Sequence, residues 1–359
     1  MLKSVQVLQS PTVKHLLQLW AKRYQPSLSA LPLPDNASAY ILLTETSAFE
    51  GRAATVNKLD NQLLAVKCQM AGIQTKALYS GNFVDLNEAR QVTSLTISLY
   101  KKLLEIYLEN ATEKILSVNE IYNNSGEYTT IPQGWGIENI QELANELEEL
   151  LFIFQESHMA SKDWRTLGFM TTLINFSNQL ILATNITHSE KVLLEPYFKF
   201  LEEQVGIPWQ RVCAAGIKHS SYSPSYKMVE QMLPKAQEIA ETVYGRLVEM
   251  FPNHRSCRGG LNDSGVKHSC IRDLNMFQAY LWLCLLEENL VAIEEELVDL
   301  CVMVMESVGV KSYMTQKWSQ VLIEEIFSHL SIEQMALLSP YTQGLQTAFF
   351  KKRSRLGCG

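Results

Sequence analysis

A thiol, a guanidinium and a carboxylate fall within four residues at Cys270, Arg272 and Asp273, in the run Lys267-His268-Ser269-Cys270-Ile271-Arg272-Asp273-Leu274. A thiol can bond to an electrophilic edge carbon of a ligand. A cation can pair with its carboxylates, and a carboxylate can accept hydrogen bonds from its N–H groups. An open-chain tetrapyrrole (a bilin) offers all three partners, so this spacing suits such a pigment. The tetrapeptide alone is a weak signal. Cysteine is often buried as a small hydrophobe, and neighbouring Arg and Asp on a helix are usually surface charges.

The element that must position these groups reads as one long helix from Asn262 to Asn289, with Asn262 or Asp263 at its cap. Cys270, Leu274, Phe277, Leu281 and Cys284/Leu285 recur every three or four residues and form one apolar stripe, with Asp273 on nearly the same face. Arg272 is rotated from Cys270 by about 200° and must wrap round the helix to reach the same ligand.

The same periodicity governs residues 99–116, 137–154, 167–182, 192–205, 228–250, 274–286 and 297–308. Tyr40–Leu43 is the best strand candidate, and alternating runs are otherwise nearly absent, so the chain reads as all-α. Residues 26–38 and 123–136 read as loops. Residues 185–189 mark the preferred boundary between a helical domain of unknown role, 1–185, and a second domain, 186–359. Thr187 or Ser189 can cap the helix that follows, with Glu190 in its first turn. Ser223-Pro224 reads as a cap followed by proline at the first helical position. Pro234 should kink or restart the next helix, and Phe251-Pro252 should end it.

Composition bounds the functions available. The chain has 359 residues, 47% hydrophobic and 19% charged, with a net charge of −7 that disfavours nucleic acid as a partner. Its seven cysteines are scattered without framework spacing, which fits free thiols in a reducing compartment. No signal peptide and no transmembrane segment is expected. The basic stretch Lys351–Arg355 reads as a solvated tail.

Several landmarks in residues 188–350 resemble the phycobiliprotein family, subunits of the phycocyanin and allophycocyanin type. These are Val243-Tyr244, Phe251-Pro252 and the Cys270-x-Arg272-Asp273-Leu274 run 18 residues later. Leu283-Cys284-Leu285-Leu286, Ile293–Leu297 and Glu306–Val310 then follow in the family's order. The resemblance implies a globin-like phycobiliprotein domain in the C-terminal half, preceded by a separate helical domain. It implies a bilin held by a thioether at Cys270, a propionate at Arg272 and pyrrole nitrogens at Asp273. Lys267, one turn earlier, would be a second propionate partner, and Tyr313 the aromatic beside the pigment. It also implies phycobilisome subunits as partners, oligomerisation through the helices at 188–250, no catalysis, and a cytoplasmic location that includes the cytoplasmic face of the thylakoid membrane. The sequence departs from the pattern where the family has paired tyrosines, which are here Asn275-Met276-Phe277, and where a Gly-rich turn becomes Glu287–Val291. A pigment-free structural or regulatory protein that binds antenna subunits for assembly or turnover is therefore the alternative.

Other constellations are weaker. His254, Cys257, His268 and Cys270 make a zinc-type set, but His268 and Cys270 fall on different faces of one helix, and no metal is expected. His219, His254, His268 and His329 are candidate haem ligands, with His329 placed in a late helix. Cys257, between Arg255 and Arg258, is the thiol an enzyme would use. The acidic turn at Glu287, Glu288 and Glu294–Glu296 reads as a solvated face.

Overall fold

The computed structural model describes residues 9–27, 36–79, 84–112, 135–137, 139–161, 164–310 and 312–356. Fifteen helices carry most of these residues, and all-α is the fold class. The first seven are α1 (Pro11–Ala21), α2 (Asn36–Ser47), α3 (Phe49–Lys58), α4 (Asn61–Leu78), α5 (Leu86–Glu109), α6 (Ile140–Ser161) and α7 (Trp164–Leu182). After the turn at 183–187 come α8 (His188–Gly206), α9 (Trp209–Ala215), α10 (Pro224–Met232), α11 (Ala236–Met250), α12 (Ser264–Glu287), α13 (Val298–Ser307), α14 (Ser312–Ser328) and α15 (Ile332–Leu356). Among the described residues the only paired strands are Arg255–Ser256 and Gly259–Gly260, a two-residue hairpin before α12.

Local chemistry explains the joints. Thr187 accepts from the Glu190 amide while the Glu190 carboxylate accepts from the Thr187 amide, a capping box that starts α8. Ser223 caps α10 with Pro224 at its first position. Pro234 sits in a 3₁₀ turn, Leu233–Lys235, that separates α10 from α11. Tyr40–Leu43, expected as a strand, lies inside α2 instead. The run is only four residues long, and helix on both sides absorbs it. His329, expected in a helix, occupies the turn between α14 and α15. Residues 123–134 of the second expected loop lie outside the described residues.

Packing crosses residue 185 repeatedly. α1 packs on α9, α2 on α8, and α7 on both α8 and α13. Buried apolar side chains from Val13 to Phe349 belong to one core. The fully buried Arg52 of α3 donates to the Ser47 carbonyl (3.2 Å), the Tyr107 carbonyl (2.6 Å) and the Tyr197 hydroxyl (3.2 Å). Its guanidinium also lies 4.3 Å from the Tyr107 ring centroid, so one cation ties α2, α3, α5 and α8 together. α8, within the span expected to pair with another subunit, is largely buried by α2 and α7 of its own chain. No helix among the described residues is long and apolar enough to cross a membrane.

Candidate functional site

α12 carries the Cys270 run, as the stripe predicts. Asp263 is its N-cap residue but makes no side-chain cap; its carboxylate accepts from the Gly260 amide (2.6 Å) and holds the hairpin turn instead. Cys270 is 5% exposed. Burial pushes its thiol up to about 12; the Asp273 charge adds to this, and Arg272 and Arg258 oppose it.

Arg272 does reach round the helix, but to protein groups. Its Nη2 and Nε donate to Asp273 Oδ1 at 2.7 and 3.0 Å, and its Nη1 donates to Glu202 Oε1 at 3.4 Å. Burial would lower the Arg272 pKa, but Asp273 and Glu202 outweigh it and the group stays charged. Glu202 also meets His268 Nε2 (2.9 Å) and receives Asn178 Nδ2 (3.3 Å) and Asn175 Nδ2 (3.4 Å). Burial would raise the Glu202 pKa; the His268 and Arg272 partners hold it below the usual carboxylate value. Arg258 donates to Ser269 Oγ (2.5 Å) and Asn175 Oδ1 (3.0 Å), with its guanidinium 4.9 Å from the Phe176 centroid. The run is therefore one corner of a network that α7 and α8 complete.

α7 also closes the face beyond Asp273. Leu167, Gly168 and Thr171 meet Arg272, Asp273 and Met276 of α12 and Leu300, Cys301 and Val304 of α13 around a cavity of about 40 Å³. A Cβ on Gly168 would lie 2.7 Å from Val304 Cγ2, so glycine sets how closely α7 approaches α13.

On the other side of α12 the wall opens. A cleft of about 570 Å³ lies between α7, α8, the first half of α12 and residues Arg23–Ser27. Lys267 and Arg272 line it; Cys270, Asp273 and Tyr313 do not. Lys267 is exposed, its Nζ 5.9 Å from the Tyr244 ring centroid. Tyr313, half exposed, packs against Phe251 with centroids 6.2 Å apart. Of the expected site residues, Lys267 faces the cleft and Asp273 the small cavity, Arg272 lines both, Cys270 lines neither, and Tyr313 lies on α14.

At the back of the cleft Arg23 donates to Glu203 (3.0 Å) and Asn275 (3.2 Å), and Tyr24 donates to Glu203 (2.8 Å). Burial would raise the Glu203 pKa, but Arg23 and Lys199 hold it down. Burial depresses the Lys199 pKa.

The remaining candidates have ordinary partners. His219 donates through Nε2 to the Leu286 carbonyl (2.7 Å), with Ser223 Oγ 3.3 Å from Nδ1, and so clamps the end of α12. Cys257 is exposed, and its amide donates to the Val308 carbonyl (2.9 Å). Glu296 of the acidic turn pairs with Arg211 (2.6 Å) and accepts from Tyr280 (3.2 Å), so this carboxylate is structural. No group of three or more His, Cys, Asp or Glu among the described residues could hold a metal ion. Sequence reasoning missed Glu202, Glu203, Asn175 and Asn178. Their only trace is polarity inside apolar helical runs, Asn175 and Asn178 in Leu173–Leu182 and the Glu202-Glu203 pair in α8. No family model matches the sequence, and no curated protein or solved structure matches it significantly.

Proposed function

We propose that this chain is a phycobiliprotein-like accessory protein of the phycobilisome. On this reading it carries no pigment on Cys270, catalyses nothing, and works by binding antenna subunits in their assembly or turnover in the cytoplasm. The resemblance of residues 188–350 supports the family half of the reading. One observation supports the pigment-free half: α7 seats on the Asp273 side of α12 and leaves about 40 Å³ there. Small-molecule sites occupy roughly 300–1,000 Å³. A buried, protonated thiol also makes a poor nucleophile, and Asp273 already accepts two bonds from Arg272. In this reading the globin-like domain keeps the run as interior scaffold, and residues 1–185 supply the helix that covers it.

The test is a visible absorption spectrum of the protein purified from its native host, followed by denaturation and zinc-enhanced fluorescence on a gel. The expected result is a colourless protein that co-purifies with antenna subunits. A bilin band that survives denaturation and vanishes in Cys270→Ala overturns the proposal, and so does failure to co-purify with any antenna subunit.

A further inference from the structure

We propose that the 570 Å³ cleft between α7, α8 and α12 binds, without a covalent bond, a small molecule that carries an acid group on an apolar frame. The proposal stands apart from the pigment-free reading, because neither Cys270 nor Asp273 lines the cleft.

The volume falls inside the usual range for small-ligand sites, roughly 300–1,000 Å³. Leu182 and Ile271, both partly exposed, give it apolar wall on two helices. Its charges are unevenly satisfied. The buried carboxylates of Glu202 and Glu203 have side-chain exposures of 4% and 6%, and both oxygens of each are engaged by protein donors. Arg23 and Arg272 are bound to those same carboxylates. What still faces the open space is Lys267, for which no ion pair is found among the described residues, and the outer edge of His268, 49% exposed. Glu195, exposed at the wall, opposes them, and the nearby Lys191 charge offsets part of its own. Lys199 also lines the cleft but is engaged by protein: it lies 3.9 Å from a Glu203 oxygen and donates to the Arg23 carbonyl (3.3 Å), and burial, opposed by Glu203, depresses its pKa. The residual field is positive and the wall beneath it is apolar, which selects an acid group with a non-polar body. Lys267 and His268 would take the head, and Leu182 and Ile271 the frame.

The test uses the full chain and 8-anilinonaphthalene-1-sulfonate, an aromatic anion of this class, titrated by fluorescence and by calorimetry. One saturable site is expected. The neutral analogue N-phenyl-1-naphthylamine should bind about tenfold more weakly, and Lys267→Glu should lower the affinity for the anion by about tenfold while leaving the neutral probe unaffected. Ile271→Trp, which fills the cleft, should abolish both. Equal affinity of parent and Lys267→Glu for the anion, or equal binding of anion and neutral probe to the parent, overturns the proposal. Lys267 is exposed, so its variant remains a valid test even if Ile271→Trp does not fold.

Discussion

Native alkylation rates would test directly whether the Cys270 run is interior scaffold. Only the thiolate reacts, and Cys270 is displaced from the ordinary thiol value of 9.0 to about 12. At any pH below 9 its thiolate is therefore scarcer by about a thousandfold. Burial adds to this, because the reagent must wait for an opening of α12 against its neighbours. Cys257, exposed in the hairpin, is the internal reference. The assay is a timed iodoacetamide pulse at pH 8, read peptide by peptide by mass spectrometry, with a parallel pulse in guanidinium. We expect Cys257 to react first, Cys270 to lag by about a thousandfold or more, and the two to converge when unfolded. The same displacement fixes a sign for alkaline stability. A thiol whose folded pKa lies above its unfolded one contributes stability that is full below the unfolded value and lost as pH rises toward the folded value. Cys68 and Cys284, each raised to about 11, act in the same direction, so stability should fall between pH 9 and 11. A Cys270 rate within tenfold of Cys257 in the native protein would refute the reasoning.

Other perturbations have definite expectations. Arg23→Met leaves the Glu203 carboxylate buried beside only Tyr24 and Lys199, and should cost about 3–5 kcal/mol in denaturant unfolding. The double variant Arg23→Met/Glu203→Leu should recover most of that loss; a double variant as unstable as the sum of the singles refutes the pairing. Because the Glu202 and Glu203 pKa values are lowered in the fold, their contribution should be present above the ordinary carboxylate value of 4.5 and vanish as pH falls through the folded values, checked by unfolding midpoints across the acid range. Gly168→Leu drives side-chain atoms into Val304 and should cost about 1–3 kcal/mol, with faster alkylation of Cys301 as the local readout. Thr187→Ala removes one half of the capping box and should cost about 1 kcal/mol, while Thr187→Ser should cost little.

α12 was legible because its buried side is made of large apolar residues at helical spacing, and α8 and α10 because their caps are written locally as Thr187-x-x-Glu190 and Ser223-Pro224. α4 was not legible. Its buried side is Leu64, Cys68, Ala71, Gly72 and Thr75, while Val66, Met70 and Ile73 are exposed, so the hydrophobic pattern points away from the core. Small residues sit there because α5 and α7 pack closely on it. Within the site, the chemistry of Cys270, Arg272 and Asp273 could be named from their types, but not the direction in which it was used. Arg272 meets Glu202 across 70 positions, and Arg258 meets Asn175 across 83. Pairings of that range leave no periodic mark in a single sequence.

α1 has a consequence for synthesis. Its buried face of Val13, Leu16, Leu17 and Trp20 is covered by segments made much later. Thr12 donates to the carbonyl of Gly216, 204 positions on; Tyr226 donates to the Thr12 carbonyl across 214; and Arg23 reaches Asn275 across 252. At translation rates of about 5–20 residues per second, those intervals leave α1 without its partners for roughly 10–50 seconds on the ribosome. Nascent chains stalled before Gly216 emerges should therefore expose α1 to protease. α1 is made well before the segments that cover it, and its apolar face is where a chaperone would find the growing chain.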